Sequence, residues 1–317
     1  MKKIYKTLKF SALTLFTLIA AQSATFAQEE ATADTTVQEK PIDKPVRPAF
    51  ENALLFDAAT TTFYPSKSLE FVLQHRFGVI DTKDNNYDMA GIWGSANIRF
   101  GLNYSILNSL MVGVGTTKFN KMTDFQLKYR VIEQTRSNSI PVTVALYEVI
   151  GIDGSPDAKW DGTPDSVTTK GYKFGNRMSY FTQLIVSRRF NDKLSLQVGG
   201  AFTHYSCVDS VYSHDRVSVS FAGRYKFSPQ MSLIVSGDFP LDIKAIKDYK
   251  IVKSNTIIYD KPSLNAGLEI ATSSHAFHVY VASAQGIIPQ ECIMWNKNDF
   301  FHGGILIGLN ITRLWNF

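Results

Sequence analysis

After residue 27 the sequence lacks any apolar run near the ~18 residues that cross a bilayer as a helix. That excludes a helical membrane protein. It leaves open a β-barrel, whose strands are apolar only at alternate positions. Cysteine is scarce, with only Cys207 and Cys292 present, which excludes a disulfide-built scaffold. A surplus of one charge is also missing once the N-terminus is set aside. Lys2, Lys3, Lys6 and Lys9 precede the apolar run 10–21 and then Thr25-Phe26-Ala27, the pattern of a secretory signal cleaved after Ala27. The whole chain has 33 Lys+Arg and 28 Asp+Glu, and removing 1–27 leaves 29 against 28. The basic pI therefore gives no reason to expect a nucleic-acid partner.

Familiar chemistry is sparse too. His214, His275, His278 and His302 show no metal-ligand spacing, and no metal or cofactor is expected. Asp153, Asp157, Asp161 and Asp165 recur every fourth residue but do not match an EF-hand loop, so a solvated loop is expected. Gly113 and Gly115 open no helix, which removes a nucleotide-binding reading. As inward-facing strand glycines they relieve crowding. His204-Tyr205-Ser206 has a His-x-Ser spacing that resembles outer-membrane phospholipases, with Asn176 as a candidate orienting residue. No further lipase signature accompanies it. The expectation is a protein that is not an enzyme, with no catalytic residues assigned and a barrel-embedded lipid hydrolase as the remote alternative.

What the chain does have is alternation. In "SANIRFGLNYSI", Ala96, Ile98, Phe100, Leu102, Tyr104 and Ile106 alternate with polar or small residues, the period of a β-strand with two different faces. Twelve such stretches occur, near 68–79, 93–106, 110–119, 122–133, 140–150, 176–190, 194–206, 216–227, 231–238, 263–272, 276–284 and 303–317. Their connections alternate between short and long, with 120–121 the exception on the long side. This predicts an all-β fold: an antiparallel up-and-down transmembrane β-barrel of about 12 strands, with short periplasmic turns and longer extracellular loops. A soluble sandwich also alternates, but its strands average ~5–6 residues, and a dry core would not accept so many inward charges. The outward exceptions are Glu148, Arg188, Arg313 and His75.

The expected organisation is a signal peptide over 1–27, a disordered periplasmic tether over 28–50, a lead-in segment over 51–67 and the barrel over 68–317. The lead-in, "ALLFDAATTTF", reads either as a short strand or as a segment folded into the barrel mouth. Lumen-lining candidates are basic Arg76, Arg99, Lys128, Arg130, Arg189, Arg224 and Lys226, with Arg177 beyond them, and acidic Glu70, Asp124 and Glu269, with Asp238. An open lumen of this composition would favour small anions. Alternatively these groups pair across the lumen and close it, leaving a structural or ligand-displaying barrel without flux. Cys207 and Cys292 fall in two outer loops, where a disulfide would tie the mouth together; two thiols are the alternative.

The stretches "YPSKSLEFVLQHRFG", "ANIRFGLNYSI" and "NRMSYFTQLIVSRRF" resemble a Bacteroidota family of outer-membrane-type β-barrels known only as a domain of unknown function. The resemblance runs from about Ala49 to Phe317 and implies a barrel in the cell outer membrane, in contact with outer-membrane lipid, and no substrate. Asp34-Thr35-Thr36, Asp165-Ser166-Val167 and Asp209-Ser210-Val211 resemble short O-glycosylation sites of such bacteria. The ending "NITRLWNF" resembles the C-terminal signal read by the barrel assembly machinery, with Trp315 and Phe317 in the aromatic places and Asn310 in the polar one. Thr312 departs from that pattern, standing where Gly is usual.

Overall fold

The computed structural model describes residues 43–80, 88–156, 173–208, 212–243 and 261–317. The signal peptide, most of the tether, the three glycosylation-like triplets and Asp157, Asp161 and Asp165 lie outside the described residues.

A two-residue hairpin comes first, β1 (Leu54–Leu55) paired with β2 (Ala58–Ala59). Twelve long strands follow. They are β3 (Ser68–Ile80), β4 (Asn97–Leu107), β5 (Leu110–Thr117), β6 (Met122–Ile132), β7 (Thr143–Ile152) and β8 (Met178–Arg189). The second half is β9 (Leu194–Tyr205), β10 (Asp215–Lys226), β11 (Met231–Leu241), β12 (Ser263–Ala271), β13 (His275–Ala282) and β14 (Ile305–Asn316). Each pairs antiparallel with its sequence neighbours. β14 closes on β3, from Ile305 opposite Ile80 to Asn316 opposite Ser68, so the barrel itself has no open edge.

The faces are the inverse of a soluble protein's. Along β4, Phe100 and Leu102 are 44% and 46% exposed on the outside, whereas Asn97 and Arg99, of the opposite parity, are buried inside. Leu184, Val198, Phe202, Leu233 and Val279 repeat this on other strands. An exposed apolar cylinder of this extent is stable only against hydrocarbon. The outward polar exceptions have partners on that same surface. Thr182 donates to Glu148 at 2.6 Å, Arg188 lies over Phe190, and Arg313 lies over Trp315 and against His275. His75 packs against Phe77.

Short turns gather at one end, 108–109, 190–193, 227–230 and 272–274, together with the ten-residue connection 133–142. Longer connections gather at the other, except the tight turn Phe119–Lys121, where Asn120 and Lys121 take left-handed φ of 52° and 47°. The last long connection, 283–304, contains the short helix α1 (Pro289–Met294), whose residues 290–294 are buried.

At the N-terminal side one expectation is corrected and one that was open is decided. Residues 43–50, assigned to a disordered tether on composition, are seated at the turn end. Pro45 bridges Thr135, the Val46 amide donates to Gln134 O at 2.9 Å, and the Arg136 amide donates to Lys44 O at 2.9 Å. Asp43 accepts from the Ser139 hydroxyl and the Ser137 amide, and these bonds hold its carboxyl well below the usual range. The lead-in 51–67 is a plug. It enters the barrel from the turn end, doubles back at Phe56-Asp57, and returns to start β3. Its Leu55 and Phe56, with Phe50 just before it, are fully buried against Ala222, Ile234, Tyr280, Ala282 and Leu306 of the wall. The segment is short and shows no periodicity to read. Of its three charges, Glu51 and Asp57 meet cations inside the barrel and Lys67 stays exposed.

Candidate functional site: the filled lumen

The inward polar face sits in contact with chain rather than water. The plug rises from the turn end and α1's loop descends from the loop end; the two meet at Arg76 of β3. Its Nη2 donates to Asp57 Oδ2 of the plug at 2.7 Å, and its Nη1 donates to the carbonyls of Ala284, at 2.8 Å, and Gly286 in the last loop. Tyr280 and Asn265 complete the shell. One buried guanidinium thus ties the wall to both filling segments.

Other inward groups hold the plug by its backbone. Lys128 Nζ donates to Thr62 O at 2.7 Å and Ala53 O at 3.3 Å, and lies 4.8 Å from the Phe63 ring. Gln197 donates to Ala59 O, while Gln74 and Asn310 both donate to Phe56 O at 2.7 Å. Thr61 and Ser187 share a hydrogen bond. Arg224 is shared between Glu269 of the wall, at 3.1 Å, and Glu51 of the plug, at 2.9 Å. Lys226 also reaches Glu51, at 3.2 Å, and these cations lower its carboxyl pKa against the opposing effect of burial. Glu269 further receives Asn52 at 2.6 Å and faces His278. Tyr64 donates to Glu70 at 2.6 Å.

A second set belongs to the wall alone. Arg99 grips Asp124 with two bonds, Nε to Oδ1 at 2.9 Å and Nη2 to Oδ2 at 2.6 Å, and also donates to Gln74. The guanidinium crosses over Gly115 of the intervening strand, where a Cβ would lie 2.2 Å from Nη2. This is a close approach that glycine permits.

All ten lumen-lining candidates face inward. Glu70, Arg76, Arg99, Asp124, Lys128, Arg224 and Glu269 are deeply buried. Arg130, Arg189 and Lys226 lie at the turn-end rim, where Arg130 meets Glu133 and Arg189 meets Pro48 O and Asp192. The count of basic against acidic groups missed Glu51 and Asp57, the two carboxylates that the plug supplies. Asp57 stood in the sequence as the lone charge in "ALLFDAATTTF", which was its only signal.

The disulfide is a correction: Cys207 and Cys292 are not bonded to each other. Cys207 follows β9 at the loop end, whereas α1 carries Cys292 down into the lumen, with its thiol 3.2 Å from Gly286 O and 3.4 Å from Asp57 Oδ2. Burial, reinforced by Asp57, raises its pKa and keeps it a thiol. Asn310 serves the plug from inside, while Trp315 and Phe317 lie on the outer surface. His204 faces outward and pairs through Nδ1 with Asp215 at 2.6 Å, so Asp215 holds the orienting place expected of Asn176. Among the described residues no hydrogen bond joins Ser206 to His204. Asn176 sits in a single helical turn before β8.

Glu291 of α1 is buried, and burial, with the charges of Asp124 and Asp153 adding to it, pushes its carboxyl up to about 7 from 4.5. An acid with a raised folded pKa stabilises fully below its unfolded pKa, and the contribution is lost as pH rises through the folded one. Seating of α1 should therefore weaken from about pH 4.5 to about pH 7 and then level off. Amide exchange of residues 289–294, corrected for intrinsic rate, should show this profile, and Glu291→Gln should flatten it. Superimposable profiles for wild type and variant would refute the assignment.

The geometry defines a class: a closed, membrane-embedded antiparallel β-barrel with a filled lumen. The chain belongs to the family described as a membrane bound beta barrel domain, DUF5777, which matches residues 50–315. No curated protein sequence matches it. Among solved structures it is similar to the NanC porin at 8% identity and TM-score 0.45, covering 78% of this chain and 99% of that one. It is also similar to the KdgM porin, at 9% identity and TM-score 0.41, covering 79% and 99%. An outer membrane channel from Pseudomonas putida F1 aligns at 10% identity and TM-score 0.43, covering 82% and 98%.

Proposed function

We propose that this protein is an outer-membrane solute channel, shut at rest by its own N-terminal plug and last outer loop, and selective for small anions once the plug is displaced. The turn end faces the periplasm and the C-terminal strand, with Trp315 and Phe317, is handed to the barrel assembly machinery. One observation carries the channel reading: the lumen is filled by chain segments held through hydrogen bonds and ion pairs that water can replace. Inward wall side chains fill a barrel of about eight strands, whereas twelve enclose a wider bore, which without these two segments would stand open to water. The plug's tip is also strained, since Phe56 has a φ of 47°, a conformation that costs a non-glycine residue about 1–2 kcal/mol. Displacement relieves that strain.

A reversible lock tests this. In the variant Thr61→Cys/Ser187→Cys the two new thiols replace hydroxyls already in contact across plug and wall. Purified wild type in a planar bilayer should show intermittent openings, the oxidised variant none, and reductant should restore them. Wild type that never conducts at any voltage would defeat the channel reading and leave a barrel that only displays its outer loops.

A further inference from the structure

The tip of the plug is bound as a ligand is bound. Three chemical features of Phe56-Asp57 are each read by side chains of the barrel wall. The Phe56 ring stacks on Tyr280, with centroids 4.3 Å apart and planes at 29°, and meets the edge of His278 at 5.7 Å. The Phe56 carbonyl accepts two side-chain amides, from Gln74 and Asn310, both at 2.7 Å. The Asp57 carboxylate accepts Arg76 at 2.7 Å, Asn265 at 3.0 Å and Ser263 at 3.5 Å, with the Cys292 thiol beside it. Arg76 is held from behind by the carbonyls of the last loop, so its Nη2 is aimed before anything binds.

Backbone closure alone does not require this. A plug needs bulk, whereas this site reads an aryl ring, an amide carbonyl and a carboxylate, in that order along one short skeleton. Gly308 and Gly267 belong to the same construction. A Cβ at Gly308 would fall 2.2 Å from the Tyr280 ring, and one at Gly267 2.4 Å from Tyr280 Cβ, so glycine on each side leaves room for that residue and its ring.

We infer that the wall residues around Phe56-Asp57 form a binding site for small anionic solutes carrying an aryl group, an amide carbonyl and a carboxylate, such as aromatic acyl amino acids, and that the plug tip occupies this site in cis. A solute of this class competes with the tip for Arg76 and Tyr280 and so favours the displaced plug. The inference rests on the channel reading only in requiring that the tip can leave.

The probe is phenylpropionyl-β-alanine, which is the Phe56-Asp57 skeleton stripped of its chain, compared with its neutral carboxamide. Calorimetric titration of the full chain carrying Phe56→Ala/Asp57→Ala, in detergent, should show saturable binding of the acid about tenfold tighter than the amide, and adding Arg76→Gln should remove the difference. No saturable binding, or equal affinity for acid and amide, would overturn the site. If the double variant loses its heat-modifiable gel shift, wild type decides the matter. Amide exchange of residues 54–59 should accelerate about threefold with saturating acid and not with the amide, and identical exchange overturns the proposal. Neither readout depends on conductance. Binding without any channel activity would fault the gate and spare the site, and a conducting barrel that does not bind would do the reverse.

Discussion

Deletion of residues 50–64 is expected to turn a barrel that opens rarely into one that conducts steadily, with time-averaged conductance rising by at least about tenfold and the current carried mainly by anions. The deletion removes no wall strand, and all twelve ladders, including β14 to β3, remain. It does remove the carboxylates of Glu51 and Asp57 and the backbone carbonyls that occupy Lys128. Arg76, Lys128 and Lys226 then face the lumen without those partners, while Arg99 keeps Asp124 and Arg224 keeps Glu269. The remaining imbalance is positive, so a reversal potential measured across a potassium chloride gradient should have the sign of chloride selectivity. Arg76→Gln should give an intermediate state, since it cuts the anchor shared by plug and last loop but leaves Lys128 and Arg224 holding the plug. A deletion variant that folds and stays closed would mean that the α1 loop seals the barrel alone, and the plug would lose its assigned role.

Asp124→Ala is expected to lower the unfolding free energy of the barrel by about 3–5 kcal/mol, as is usual when one partner of a buried ion pair is removed. Arg99 would lose both bonds to Asp124 in a place where neither side chain reaches solvent. Gln74 is neutral and already engaged, and the nearest remaining acid, Glu70, is held by Tyr64 and Asn103. Urea titration in lipid vesicles measures the loss. Because the pair joins wall to wall across β5, the variant should leave conductance near the wild-type level. A loss under about 1 kcal/mol would show that water reaches Arg99 and that the lumen is wetter there than its packing indicates. The contrast between the two variants separates the barrel's own stability from the closure of its lumen.

Much of the architecture was legible because strand alternation is a local property. Phe100, Leu102 and Tyr104 alternate with Arg99, Gly101 and Asn103 whatever the rest of the chain does, and the turn lengths follow directly along the sequence. The strand bounds read from periodicity differ from the observed ones by a few residues at most, and the tight connection at 120–121 is found where expected. The lumen was harder. Asp57 and Arg76 look unrelated in the sequence, one in an apolar stretch and the other in a strand, and Cys292 looked like an outer-loop residue. Their meeting depends on a segment with no periodicity entering the barrel, and composition marked its first residues as a tether.

By itself, then, the sequence determined a membrane-embedded cylinder of twelve strands, which face of each strand meets lipid, and which end carries the turns. Those properties follow from period-two patterning and from the cost of placing charge in hydrocarbon. Only the tertiary structure decided what fills the cylinder and which inward charge is paired with which. Closing β14 on β3 encloses a space whose contents come from residues far apart in the chain, and no periodicity along a strand records them.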